Sequence, residues 1–344
     1  MKRILFLLVL ASFPLGAQWL DHPTPGVPRT PDGMPDLTAP APRTADGRPD
    51  LSGLWSIPSA PYYFNIAADD PGIFQPWAEA LHEQRKLDFA KDSMETLCLP
   101  FGPVYSTTPF RETKIVQTPG LIVMLYSDLV HRQIFMDGRE LEEDPNPSWM
   151  GYSVAYWDDD TLVVESNGFN DRTWLDFMGH PHTEQLRLTE RYRRRDFGHL
   201  NLEMTIEDPG ALSKPLSITV DFDLWPDTTM LEFVCDENEK DRSHMDEGTN
   251  PEPISVAPDI LATYVGLYEY RDFGDAIHSV ELSLSDDTLY WDADNTGKEQ
   301  MLPFSDTDFS VYGFSVQFIR DSGQAVTGFL FKFAEGDLLG ERKK

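Results

Sequence analysis

Cysteine is nearly absent, basic residues are scarce, and past the N-terminal leader no apolar run is long enough to span a bilayer. Only Cys98 and Cys235 occur in the 344 residues. A pair of this kind in an oxidising compartment can close a bridge, which is the expectation here, with two separately buried thiols as the alternative. Lys and Arg number 28 against 58 Asp and Glu, a formal charge of −30. That balance argues against nucleic acid or an anionic membrane surface as a partner, because both would repel the chain. No segment approaches the roughly 18–20 consecutive apolar residues of a transmembrane helix, so membrane insertion is not expected. Also missing are a phosphate-cradling Gly-rich loop with its Lys, a Gly-x-Ser-x-Gly elbow, a helical zinc-protease motif, and Ser-x-x-Lys in a helical context.

What is present begins with a leader. Lys2 and Arg3 precede the apolar run Ile4 to Leu10, and a small-residue stretch ends at Leu15-Gly16-Ala17. This is the layout of a secretory signal peptide over 1–17, and a periplasmic or secreted location follows. Residues 18–50 are rich in Pro, Gly, Thr and Asp and contain a duplication. Arg29-Thr30-Pro31-Asp32-Gly33-Met34-Pro35-Asp36-Leu37 returns as Arg43-Thr44-Ala45-Asp46-Gly47-Arg48-Pro49-Asp50-Leu51. Asp-Gly pairs favour tight turns and Pro blocks regular ladders, so the stretch reads as an extended arm that wraps the domain after it.

From 51 to 235 the period of two dominates, after one helix expected from about Pro76 to Phe89. There Trp77, Ala80, Leu81 and Leu87 share the apolar face, and Glu79, Glu83 and Arg85 stay wet. Strands are expected from Ser52 and near 113–118, 121–127, 131–136, 152–157, 161–167, 184–193, 199–207, 215–224 and 229–235. Short turns at Asp158-Asp159-Asp160 and Asp196-Phe197-Gly198 make neighbours antiparallel. So many successive strands close into a barrel or sandwich rather than leave open edges. A charged stretch, 236–258, reads as a linker, and alternation resumes over 259–344, with strands near 277–284, 288–292, 299–304, 309–311, 314–320 and 325–333. The fold class is therefore all-β: an antiparallel meander closing into a lipocalin-like barrel or sandwich, plus a smaller β domain.

The C-terminal phrases Tyr264-Val265-Gly266-Leu267-Tyr268, Leu289-Tyr290-Trp291 and Val316-Gln317-Phe318-Ile319-Arg320 carry a resemblance to the small lipocalin-like domain appended to many serine β-lactamase-type hydrolases. That resemblance implies an accessory barrel or half-barrel. The larger unit resembles a group of exported bacterial proteins through Pro49-Asp50-Leu51-Ser52-Gly53-Leu54-Trp55, Cys98-Leu99-Pro100-Phe101-Gly102-Pro103, Lys114-Ile115-Val116-Gln117-Thr118-Pro119-Gly120 and Gly168-Phe169-Asn170-Asp171-Arg172-Thr173-Trp174. This second resemblance implies export but no activity.

Titratable groups are densest between Gly168 and Glu190. His180 and His182, one residue apart, point to one side of an extended segment, where both imidazoles can reach one divalent metal ion. His131 or Glu184 would complete the set. Without metal, His131, His180, His182, Glu184 and Asp171 are candidates for acid–base catalysis, and Arg172, Trp174 and Tyr152 for substrate binding. Arg187, Arg191 and Arg193 lie on one face of a strand and are read as solvated. Two functions follow: a lyase, isomerase or hydrolase using this His/carboxylate cluster on a small organic or carbohydrate substrate, or a binding protein holding an apolar or aromatic ligand in its larger barrel. Either partner is a small molecule.

Overall fold

The computed structural model describes residues 23–58, 61–63, 65–87, 91–108, 111–235, 237, 252–272, 276–294, 297–312, 314–333 and 336–343. The leader and most of the linker expected from the sequence lie outside them. The protein is all-β, with two strand-built units.

The first unit is a closed barrel of nine strands in sequence order: β1 (Gly53–Ser56), β2 (Thr113–Gln117), β3 (Leu121–Tyr126), β4 (His131–Phe135), β5 (Tyr152–Asp158), β6 (Thr161–Asn167), β7 (Arg187–Arg194), β8 (His199–Glu207) and β9 (Leu216–Leu224). Alternation determines which face turns inward. On β8, Leu200, Leu202, Met204 and Ile206 are buried, and Ile218, Val220, Phe222 and Leu224 do the same on β9. Two seams are narrow. β1 closes on β9 through Trp55↔Leu224 and Ser56↔Asp223, and β4 meets β5 in parallel through only Ile134↔Ser153 and Phe135↔Val154. That parallel pair departs from the expected all-antiparallel order because the long connection 136–151 lets the chain cross back. The stretch expected as a strand at 229–235 is irregular. Its apolar members Leu231 and Phe233 are exposed, so its alternation serves no core, and β1 supplies the closing strand instead.

The barrel interior is filled by side chains, among them Trp55, Ile122, Met124, Leu162 and Val164. Enclosed with them is a charged pair. Arg132 on β4 donates to both carboxylate oxygens of Glu190 on β7, and its remaining hydrogens reach Ser153 Oγ at 3.1 Å and Ser166 Oγ at 2.7 Å. Tyr192 donates to Glu190 at 2.8 Å. Arg187 and Arg193 are exposed and Arg191 is half-exposed, as expected of a solvated row.

Both copies of the N-terminal duplication fold alike. In each a Thr hydroxyl bonds the following Asp at 2.5 Å, and the Arg reaches the turn Gly carbonyl and then an acidic residue on the barrel: Arg29 to Asp227 and Arg43 to Asp160, each at 2.5 Å. The arm is tied down further by Phe197 N–H to the Ala39 carbonyl and Gly198 N–H to the Leu37 carbonyl, both at 2.7 Å. Cys98 and Cys235 form the expected disulfide, with Cα atoms 5.5 Å apart across 137 residues.

Among the described residues, three α-helices accompany the sheets, α1 (Pro76–Leu87), α2 (Gly102–Tyr105) and α3 (Pro258–Ala262), with one short 3-10 turn at Pro61–Tyr63. The face expected for α1 is wrong. Trp77 and Leu87 are 45% and 46% exposed, and the helix buries Ala78 and His82 instead. Tertiary anchors override the apolar stripe: Trp77 is held at the surface by its indole N–H to the Gly210 carbonyl (2.8 Å), and Arg85 reaches the Gly179 carbonyl (2.7 Å).

The second unit is a nine-stranded sheet in the order β13-β12-β11-β10-β18-β17-β16-β15-β14, formed by β10 (Gly266–Arg271), β11 (Ile277–Ser285), β12 (Thr288–Ala293), β13 (Glu299–Gln300), β14 (Leu302–Pro303), β15 (Asp308–Val311), β16 (Phe314–Arg320), β17 (Val326–Phe333) and β18 (Gly336–Arg342). Only Met301 separates the two edge strands β13 and β14, so the sheet must curl until its edges meet. Val256, which the sequence assigns to the linker, is buried in this second core, so the unit begins before 259. Strand β18 escapes the alternation rule. Gly340 sits where a Cβ would lie 2.3 Å from the Phe329 ring, and this close approach removes a side chain from the pattern.

Candidate functional site

The hairpin-like loop from Trp174 to Pro181 is organised by one carboxylate. Asp176 is fully buried and accepts four hydrogen bonds: from Ile66 N–H (2.8 Å), Gly179 N–H (3.0 Å), His180 N–H (3.1 Å) and His180 Nδ1 (2.5 Å). Burial opposes its ionisation, but the charge and hydrogen bond of His180 and the Ile66 amide outweigh burial and hold the carboxyl below its ordinary range. An ionised carboxylate only accepts, so Nδ1 carries the proton that faces Asp176, and whenever the ring is neutral the lone pair is on Nε2. Gly179 is required at the turn. Its φ is +94°, and a Cβ there would lie 2.9 Å from Arg85 Cδ.

The His180 ring stacks on Phe74 at 4.3 Å and lies 3.7 Å, centroid to centroid, from the ring of His82 on α1. His82 is 3% exposed, and neither of its ring nitrogens has a hydrogen-bond partner. Burial, reinforced by His180, pushes its pKa down to about 3, so the ring is neutral at neutral pH. One turn earlier on α1, Glu79 brings its carboxylate to the same place. The ligand atoms of Glu79, His82 and His180 all lie within 4.8 Å of one another.

These groups line a cavity of about 220 Å³ that also takes Asn65 and Pro71 from the barrel unit and Gly297, Glu299 and Tyr312 from the C-terminal unit. The two units meet beside it through Lys86–Glu299 at 2.5 Å and through the Phe177 and Phe314 rings, stacked at 5.7 Å. The site is thus an interdomain cleft, a common location for ligand binding.

The candidates from the sequence are dispersed. His180 is in the cleft. His182, although adjacent, is a packed residue: Nε2 meets Thr173 Oγ1 at 2.6 Å, Nδ1 meets the Thr183 carbonyl at 3.0 Å, and the ring is 2% exposed. The expected geometry fails because His180 and His182 flank the isolated bridge residue Pro181 rather than lie in a strand, and Asp176 holds the first ring while Thr173 and Thr183 hold the second. Trp174 is no substrate platform. It is buried with Met94, Phe101 and Tyr105, under the Arg85 guanidinium at 4.5 Å. Asp171 and Glu184 are exposed.

His131 and Tyr152 line a different pocket of about 480 Å³ at the β4–β5 seam, together with Phe135 and Trp149. Arg172 joins that group by stacking on Trp149 at 4.8 Å. His131 therefore completes no metal set with His180 and His182. Among the described residues, the cluster with convergent ligand atoms is Glu79, His82 and His180. Two of its members escaped the sequence reading, although Glu79-Ala80-Leu81-His82 places a carboxylate and an imidazole three residues apart, on one face of a helix.

No helix among the described residues is long and apolar enough to cross a membrane. Compared with known protein families and with characterised proteins, the chain matches no family pattern and no relative.

Proposed function

We propose that this chain is an exported enzyme of the hydrolase, lyase or isomerase type, whose active site is the interdomain cleft around His180. The observation that carries this reading is the Asp176–His180 pair. A buried carboxylate fixes the imidazole so that in the neutral ring Nε2 presents its lone pair to the cleft, beside the His82 imidazole, whose nitrogens have no hydrogen-bond partner. Such a lone pair takes up a proton from substrate or water, and Asp176 stabilises the positive charge that then forms on the ring. A binding site has no need of this arrangement. The cavity of about 220 Å³ suits a small polar substrate, and its walls are both apolar (Ala67, Pro71) and polar (Asn65, Glu299). The disulfide and the leader-like first residues support a periplasmic or secreted location. The C-terminal unit, with its lipocalin-like sequence, serves in this reading as the second wall of the cleft.

A second reading keeps the chain as a binding protein. Its pocket is then the β4–β5 seam, where Trp149, Tyr152 and Phe135 offer aromatic faces, since side chains fill the barrel interior.

A panel of chromogenic esters, phosphates and glycosides, assayed with wild type and with His180→Ala and His131→Ala, tests the first reading. The expected result is turnover that His180→Ala abolishes and His131→Ala leaves intact. Turnover indifferent to His180 would overturn it.

A further inference from the structure

We propose that Glu79, His82 and His180 hold one divalent first-row transition-metal ion, of which zinc is the probe, at the floor of the cleft. The proposal rests on the reading of the cleft as the functional site; with the ion bound, the His180 Nε2 lone pair is a ligand and not a proton acceptor, so a base role for His180 belongs to the metal-free cleft. Three independent features carry it.

The first is composition and placement. Two imidazoles and one carboxylate, with an open side toward a cavity, form the ligand set of catalytic rather than structural zinc sites, in which a fourth position is left for water or substrate. The donor atoms lie within 4.8 Å of one another. A tetrahedral ion with bonds of about 2.1 Å needs edges of roughly 3.4 Å. Glu79, on the open side of α1, closes the difference by rotating its side chain.

The second feature is the unexplained polarity of His82. A ring 3% exposed with both nitrogens unpartnered is costly, because a buried polar atom without a partner loses its hydration for nothing. A core position there would suit Leu. Coordination of one nitrogen removes the anomaly.

The third is the Asp176–His180 contact. A metal-binding histidine characteristically donates its other ring N–H to a carboxylate, which fixes the tautomer and raises the basicity of the ligating nitrogen. Asp176 does this from a fully buried position, anchored by three backbone amides. The ion would also offset charge, since the carboxylates of Glu79, Asp176 and Glu299 surround the site with Lys86 as a close counter-charge.

Titrating the chelator-stripped full chain with zinc alone, against a chromophoric chelator, should give one zinc per chain. Cobalt(II) in its place should give ligand-field absorption of a four- or five-coordinate site. His82→Ala, His180→Ala and Glu79→Ala should each weaken binding by more than about 100-fold, and Asp176→Asn by about 10–100-fold. His131→Ala should change nothing. Glu79 is at the mouth of the cleft, so its variant still folds if the buried histidine variants do not. Lack of stoichiometric zinc at millimolar concentration, or undiminished affinity in Glu79→Ala and His82→Ala, would overturn the proposal. A metal-free protein whose turnover still depends on His180 refutes the metal and leaves a bare acid–base cleft. Metal binding with turnover indifferent to His180 refutes the active-site reading instead.

Discussion

The Arg132–Glu190 pair is the most consequential polar contact in the barrel, and separating its members should be the most damaging surgery short of breaking the core. Both side chains are essentially inaccessible, at 1% and 0% exposure. Arg132→Met leaves Glu190 with the Tyr192 hydroxyl as its remaining side-chain partner, and it orphans Ser153 and Ser166, which then have only each other at 2.9 Å. An uncompensated buried charge of this kind costs roughly 3–5 kcal/mol. With an m-value of about 2–3 kcal/mol/M, the urea midpoint should fall by about 1–2 M. Glu190→Met should cost a similar amount, because it strands the guanidinium. The double replacement removes both charges while keeping apolar volume, so it should be far less harmful than the sum of the singles. Near-ultraviolet circular dichroism of the full chain in urea provides the double-mutant cycle. Single variants within 1 kcal/mol of wild type, or additive behaviour in the double, would refute the argument, as would a lone charge readily hydrated through the β4–β5 seam.

Reducing the Cys98–Cys235 bridge, which spans 137 residues, should lower stability by up to about 5 kcal/mol on the chain-entropy estimate, and denatured, unreduced protein should show no titratable thiol. His182→Ala should lower the melting temperature without touching zinc binding, since it leaves the Thr173 hydroxyl unpartnered at roughly 1–3 kcal/mol, while the Thr183 carbonyl keeps its bond from the Leu186 amide. In the C-terminal unit, burial opposes the charge on His278, but hydrogen bonds to Asp294 and Asp272 prevail and raise its pKa, with Tyr270 stacked on the ring. A raised folded value means the contribution is complete below the ordinary value of about 6.5 and is lost as pH climbs through the folded one. Wild type should therefore lose up to about 1 kcal/mol across that window, and His278→Gln should flatten the profile in thermal melts. A fragment from Ser255 onward retains Val256 and the whole second core, and it should melt cooperatively.

The strands were legible because period-two alternation is a direct image of a half-buried sheet, and β6, β8 and β16 have the bounds that alternation gives. Where the pattern lacked a core to face, as at Leu231 and Phe233, it misled. Where a glycine was demanded by a neighbouring ring, as at Gly340, the strand was invisible. The disulfide followed from arithmetic on two cysteines. The cleft was half legible. His180 stood out among its neighbours, but proximity in sequence also drew in His182 and Trp174, whose burial depends on contacts from Thr173, Met94 and Arg85. His82 was missed for the opposite reason: a histidine inside a helix reads as surface until the partner loop is known, and that loop lies nearly a hundred residues away.

The same long-range dependence explains why the cleft sits where it does. Helix α1 carries three kinds of contact on one short segment. Arg85 clamps the Asp176 loop from one side, His82 and Glu79 face the cavity, and Lys86 reaches across to Glu299 on β13. His82 is 3% exposed beside a cavity that both units line, where its unpartnered ring nitrogens are costly. Joining the units therefore does more than add buried area. It places groups of α1 and of β13 around one cavity, in which weak electrostatic preferences become strong ones.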